Sequence, residues 1–264
     1  MMRKYLIKAF NQLNQDFYNQ ISNDFSETRN FAWHGWDELM KQLPKKQNLK
    51  VLDIACGNGR FVEFLEKNLG ENNFSYLGLD NSAGLLKIAK NKFEKQQFNY
   101  FDLVNNYLEN QKISLNTKEK FDLITVFGLS HHLASSQLRN ELLKSLKNNL
   151  SENGVIVISN WQFANEQERF QKNTINWQKI IGNSKINLWQ KIKLIFLLIN
   201  LEKNDYLIDW RKGEKTNQVF RYCHQIDEIE MIKIAKENNL KIINNFFDDG
   251  KSSKLNQYFI FTAL

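Results

Sequence analysis

The segment DIACGNGR, residues 53–60, sets a carboxylate (Asp53), a small residue (Ala55) and two glycines (Gly57 and Gly59) close together. Small residues at such a turn let the backbone approach a ligand closely. Asp80 lies 21 positions beyond Gly59, at the end of the run FSYLGLD. A carboxylate there can accept hydrogen bonds from both hydroxyls of a ribose. Asp102 follows a third such run, where an adenine amino group could be met. A dinucleotide site has the same glycine–carboxylate pair. Asp53, directly ahead of the turn, would repel a pyrophosphate and suits a ligand carrying an ammonium group.

A second cluster lies in VFGLSHHLASSQLR, residues 126–139, where His131 and His132 follow a β-type run. A metal site needs further ligands at close spacing. The other histidines are His34 and His224, and the two cysteines, Cys56 and Cys223, are far apart in sequence. No metal ligand set and no disulfide framework is expected from them. One imidazole should face a substrate cleft, and His132 is the choice, as a positioning group. The other should pack or cap the next helix.

These residues need a scaffold. KVLDIA (50–55), FSYLGLD (74–80), QFNYFDL (97–103), KFDLITVFG (120–128) and VIVISN (155–160) read as strands. Helical patterns separate them: RFVEFLEKNL, then a helix that Ser82 caps, then one with Leu138, Leu142, Leu146 and Leu150 at four-residue steps. SENG, 151–154, reads as a turn. The alternation predicts a parallel sheet with helices on both faces. LKIINNFF (240–247) and NQYFIFTA (256–263), joined by a polar turn, predict an antiparallel strand pair at the end. The expected organisation is one domain: an N-terminal helical cap (1–48), a ligand-binding core (49–160), a mainly helical insertion (161–238) acting as substrate cap, and the strand pair (239–264).

Composition narrows the setting. The chain has 264 residues, 42% of them hydrophobic, enough for one large α/β core. The net charge of +7 favours an anionic partner. Two separated cysteines fit a reducing, cytoplasmic setting. No signal peptide is expected from the N-terminal residues. The apolar run LIFLLI (194–199) is too short to span a bilayer and reads as a buried helix, ahead of a membrane-surface helix.

VLDIACGNGRF, YLGLDNSAGLLKIAK, FDLITVFGLSHHL and LSENGVIVISNW together resemble the class I S-adenosylmethionine-dependent methyltransferases, with Ala55 in the first glycine position of their usual motif. The resemblance implies a Rossmann-like sheet and S-adenosyl-L-methionine as cofactor. It implies cofactor contacts from Asp53, Ala55, Cys56, Gly57, Asn58, Gly59, Asp80, Asn81, Asp102, Leu103 and Phe127, with Asp80 on the ribose and Asp102 and Leu103 at the adenine.

The flanks are more specific. Phe25, Ser26, Thr28, Arg29 and Trp33, then Cys56 to Gly59, His131 with His132, Trp161, and Arg221, Tyr222 and His224 resemble the tRNA wobble-uridine methyltransferases, which convert 5-carboxymethyluridine to its methyl ester. Asp209 stands where that family carries a proline, and 163–203 has no counterpart in its pattern. The resemblance implies tRNA as partner; the ligand spacing and the short apolar run lead to the expectation of no metal and no membrane. Eukaryotic members work with a small zinc-binding activator protein. His132, Arg221, Tyr222 and His224 are the expected substrate-side residues. Arg29 suits a carboxylate, of the cofactor first and of the substrate second, and Trp33 and Trp36 suit the sulfonium, a base, or the core. Basic residues at 41–46, 191–193, 210–215, Lys251 and Lys254 could track phosphates. The rival readings are a small-molecule O- or N-methyltransferase and a non-catalytic binding protein of the same fold.

Overall fold

The computed structural model describes residues 2–28, 31–44, 46–115, 117–165, 170–171, 173–209 and 220–264, the side chains of 22–28 excepted. Seven strands form one sheet: β1 (Leu49–Ile54), β2 (Phe74–Asp80), β3 (Gln97–Tyr100), β4 (Phe121–Phe127), β5 (Leu150–Trp161), β8 (Leu240–Asp248) and β9 (Asn256–Ala263). Their order is β3-β2-β1-β4-β5-β9-β8. The first five pair in parallel, and β9 runs antiparallel to both β5 and β8. The expected sheet and its antiparallel ending are therefore present.

Helices cover both faces. α1 (Lys4–Thr28), α5 (Leu103–Asn110), α6 (Ser136–Asn148) and α9 (Glu228–Glu237) contribute to one core, with Phe10, Leu138, Leu142 and Ile234 buried in it. α2 (Gly35–Met40), α3 (Arg60–Leu69) and α4 (Ala83–Lys92) contribute to the other, with Trp36, Phe61, Leu65 and Ala89 buried. Ser82 Oγ accepts the Leu85 N–H and caps α4 as expected. From β1 the chain turns to β2 on one side, while β4 takes the other. That reversal opens a crevice at the carboxyl ends of β1 and β4, where open α/β sheets bind ligands.

Four local expectations change. The third strand stops at Tyr100, because Asp102 starts α5. Leu150 belongs to β5 and not to the preceding helix, and SENG is a bulge inside that strand. Phe121 pairs with Leu150 and Leu123 with Val155, so the polar residues between loop out of register. The segment 161–238 holds α7 (Trp177–Ile181), α8 (Leu188–Ile199) and α9, but also an antiparallel hairpin of β6 (Asp205–Asp209) and β7 (Phe220–His224). The run LIFLLI buries only Leu194 and Leu197, with Phe196 and Ile199 in solvent.

Candidate active site

The turn after β1 is built on left-handed backbone. Ala55 has φ +63° and Gly57 has φ +56°. Glycine adopts this region freely, whereas alanine there costs about 1–2 kcal/mol. Asp80, buried at the end of β2, holds the turn: its Oδ2 accepts the Gly57 N–H at 2.8 Å and its Oδ1 accepts the Ser82 N–H at 2.7 Å. Each oxygen retains acceptor capacity. Burial pushes the Asp80 carboxyl above its ordinary range, opposed by those backbone donors.

Asp53 sits behind the turn. Tyr76 donates to its Oδ2 at 2.5 Å and Thr125 to its Oδ1 at 2.7 Å. Burial pushes its carboxyl up to about 7, against the pull of both hydroxyl donors. The cleft in front of these groups measures about 950 Å³. Asp53, Ala55, Cys56, Gly57, Asn58, Asp80, Asn81, Leu103, Phe127 and Trp33 line it. Gly59 does not; it abuts Phe93 and Ala89 and serves the packing of α3 on α4.

Asp102 is placed differently from the expectation. Its carboxylate caps α5 through the Asn105 N–H and takes hydrogen bonds from Gln15 at 2.6 Å and from Asn11 on α1. Phe101, Leu103 and Val104 line the cleft at this level, and Asp102 does not. Trp33 and Trp36 both line the cleft, and Trp36 is fully buried against Phe61 and Phe127. Arg60 lies over the Trp33 ring at 4.6 Å. The sequence reading did not select Arg60, although its place directly after the second glycine marked it. Arg29 lies outside the described residues, as do 210–215 and the side chains of Phe25, Ser26 and Thr28.

Both histidines line the cleft, rather than one alone. The 3₁₀ turn Ser130–His132 carries them just past β4. His132 Nδ1 lies 2.8 Å from the Tyr222 carbonyl oxygen and its Nε2 lies 2.8 Å from Tyr18 Oη. A carbonyl only accepts, so Nδ1 carries the proton and Nε2 accepts from the phenol. Burial, then the Arg221 charge, hold the His132 imidazole down to about 3. Burial also holds His131 well below the ordinary histidine range, and its Nδ1 is buried with no hydrogen-bond partner.

Strand alternation divides the RYCH segment. Arg221 faces the cleft, its guanidinium 4.5 Å over the Trp161 ring and 5.0 Å over Phe17. Tyr222 and His224 point the other way and do not line the cleft. Tyr222 packs on Phe10 and donates to Asp205 at 2.6 Å. His224 bonds Asp205 at 2.6 Å and Glu230 at 3.0 Å, with Arg139 bridging to Glu230. These two groups tie β7 to β6 and α9, away from the cleft where they were expected. Sequence reading also missed Asn14 and Tyr18. Asn14 accepts the Tyr222 N–H and donates to the His132 carbonyl. Asn11, Asn14, Gln15 and Tyr18 line the cleft at helical spacing on α1, a polar stripe visible in the sequence.

Separated residues also converge in a way that sequence spacing hid. Ligand-capable atoms of His131, His132 and Cys223 lie within 4.8 Å of one another. Both ring nitrogens of His132 are already engaged, and burial pushes the Cys223 thiol up to about 12, so the trio packs as neutral groups. No helix among the described residues is long and apolar enough to cross a membrane.

Residues 45–222 match the family model described as a methyltransferase domain. A ubiquinone/menaquinone biosynthesis C-methyltransferase of Campylobacter jejuni is 26% identical over 157 residues, 58% of this chain and 62% of that protein. A tRNA (carboxymethyluridine(34)-5-O)-methyltransferase of Mus musculus is 29% identical over 173 residues, 65% of this chain and 23% of that protein. The chain thus spans less than two thirds of the length of these relatives. The crystal structure of an S-adenosylmethionine-dependent methyltransferase from Clostridium acetobutylicum superposes with a TM-score of 0.62 at 19% identity, covering 93% of this chain and 98% of that one.

Proposed function

The chain belongs to the methyltransferase domain family, and we propose that it transfers a methyl group from S-adenosylmethionine to the carboxylate of 5-carboxymethyluridine at the tRNA wobble position. One observation carries the choice of a carboxylate acceptor. The Arg221 cation is buried in the cleft against Trp161 and Phe17, among imidazoles held neutral. A planar guanidinium in a water-poor pocket matches a carboxylate. The relative that shares 29% identity is named for that acceptor.

The cleft fits the cofactor. A Cβ built on Gly57 would meet only Leu85, at 3.9 Å, so the space before that backbone is free for a ligand. The Asp80 oxygens have capacity left for ribose hydroxyls, and Leu85, Phe101, Leu103 and Val104 form an apolar slot for a purine. Asp53 stands ready for an ammonium group, and Arg60 with Trp33 serves the opposite end. When bound, the cofactor supplies an electrophilic methyl group on a sulfonium.

A carboxylate is a nucleophile at neutral pH, so the chain's residues have to orient rather than deprotonate it. The hydrogen-bonded state of His132 agrees with this: neither ring nitrogen is free to act as a base. Arg221 would hold one carboxylate oxygen and leave the other to attack. Asp209, one position past Ile208, the cross-strand partner of Arg221, also lines the cleft. The activator protein known for eukaryotic members belongs to the same proposal.

Arg221→Ala tests the assignment. Methyl transfer to tRNA should fall roughly ten- to a hundredfold, the cost of one charge-assisted pair, with cofactor affinity unchanged. Arg221→Lys should recover part of it. Loss of cofactor binding in Arg221→Ala would remove Arg221 from the acceptor site. The unpartnered His131 Nδ1 favours a second reading, a small-molecule acceptor whose hydroxyl or amine needs a base. Methyl transfer to small acceptors but not to tRNA would select it.

A further inference from the structure

The helix α8 presents an apolar face that the described residues leave largely uncovered. Trp189, Ile192, Phe196 and Ile199 recur at helical spacing, and Trp189 and Ile199 are 79% and 73% exposed. Leu188 beside them is also exposed, as are Trp177 and Ile181 on α7. Tyr5 of α1 stacks on Phe196 with ring centroids 6.3 Å apart, so the face continues onto the first turn of α1. Contiguous apolar exposure of this extent marks an interaction surface.

Charge selects the occupant. Between Thr174 and Leu201 the charged residues are Lys179, Lys185, Lys191 and Lys193, four cations and no acid. Arg3, hydrogen-bonded to Tyr5, adds a cation at the α1 margin, with Lys4 and Lys8 exposed on the same helix. The acids at the edges are Asp16, which shares a small groove with Lys193, and Glu202 past the end of α8. A helix with aromatic and aliphatic side chains on one face and lysines flanking it is suited to the interface of an anionic bilayer. A second copy fits less well, because a two-fold contact would set four lysines of each copy against each other with acids only at the edges. RNA would use the lysines and leave the tryptophans and isoleucines in water.

We propose that the α7–α8 face seats this protein on anionic lipid membranes, in the plane of the surface. This goes beyond the proposed methyl acceptor and holds for either acceptor reading. It corrects the sequence expectation of a buried helix, and the physical reason is visible in the helix itself. Apolar side chains occur all round the second half of α8, and the described residues bury only Leu194 and Leu197 of them.

The test is co-sedimentation of the purified chain with vesicles of phosphatidylglycerol and, separately, of phosphatidylcholine. Binding to the anionic vesicles should exceed binding to the neutral ones by roughly tenfold and weaken with salt. Trp189→Glu with Ile192→Glu should lower binding by roughly tenfold or more. Both positions are exposed, and unchanged thermal unfolding and cofactor affinity check that the variant is folded. No binding to anionic vesicles overturns the proposal. So does a concentration-dependent dimer, seen by sedimentation without lipid, that the same double variant abolishes. Equal binding to both vesicle types overturns the electrostatic part and with it the choice of an anionic surface.

Discussion

Tyr18 Oη lies 2.8 Å from His132 Nε2, and this contact engages the second ring nitrogen of one of the two histidines that line the cleft. With Nδ1 committed to the Tyr222 carbonyl, the ring is a neutral acceptor of the phenol proton. Held down to about 3, it does not change charge near neutrality. The rate of methyl transfer at saturating cofactor and acceptor should therefore be flat from roughly pH 6 to 8. A rate that rises with a limb near the ordinary histidine range would contradict this. Tyr18→Phe removes the donor and leaves a buried acceptor unpaired, which should cost about 1–3 kcal/mol in thermal or denaturant unfolding.

Asp53 gives cofactor binding its own pH dependence. Burial pushes its carboxyl up to about 7, close enough to neutrality for its protonation to change there. An ammonium group on the ligand favours the ionised form. Affinity should therefore increase as pH rises through about 7, with a proton released on binding. Calorimetry in buffers of different ionisation enthalpy measures that proton. Asp53→Asn should lose both the pH slope and the proton. A slope unchanged in the variant would assign it elsewhere.

Asp80→Ala removes the carboxylate assigned to the ribose and the acceptor for the Gly57 N–H. Cofactor affinity should drop at least about a hundredfold, the loss expected for charge-assisted hydrogen bonds. Isothermal titration with the cofactor decides it. Unchanged affinity would remove Asp80 from the ribose.

Ala55 tests the backbone of the turn. Its φ of +63° favours glycine, so Ala55→Gly should raise stability by up to about 1 kcal/mol after the added freedom of the unfolded chain is counted. Chemical denaturation reads the difference. A destabilised variant would mean that the alanine methyl has a packing role larger than the strain.

His224 tests the assignment of the buried network to stability. Burial opposes its charge, but the hydrogen bonds to Asp205 and Glu230 prevail and raise the imidazole above 6.5. A raised folded-state value gives stability that is fully present below the unfolded value and is lost as pH rises through the folded one. Melting curves should show the wild type losing its advantage over His224→Gln as pH rises above about 6.5. His131 and His132 act in the other direction: buried neutral, they withdraw stability as pH falls below 6.5. An advantage over His224→Gln that grows with pH would contradict the network.

The glycine turn, the parallel strands and Asp80 were legible because their signals are local: a strand period, a turn and a carboxylate at a fixed place. The place of Asp102 as a cap was not legible because it depends on the three residues that follow it, and that helix went unrecognised. The RYCH segment was read as one functional unit. A strand alternates, so Arg221 reaches the cleft while Tyr222 and His224 are turned into the network with Asp205. Strand identity at β7 was the missing information, since its partner β6 lay in a region read as helical. Asn14 and Tyr18 act across more than a hundred residues of sequence, through contacts to His132 that no local pattern reveals. For α8, apolar periodicity marked a helix but could not say which side the rest of the chain would cover.

The central claim is methyl-ester formation on tRNA, and its most direct test uses purified protein, cofactor labelled in the methyl group, and bulk tRNA from cells lacking this gene. The product is treated with mild alkali. Label entering tRNA and leaving as methanol is the predicted result, because an ester hydrolyses where a base or ribose methyl does not. Label in tRNA that survives alkali, or none in tRNA while the cofactor binds and a small acceptor is methylated, would contradict the carboxylate acceptor.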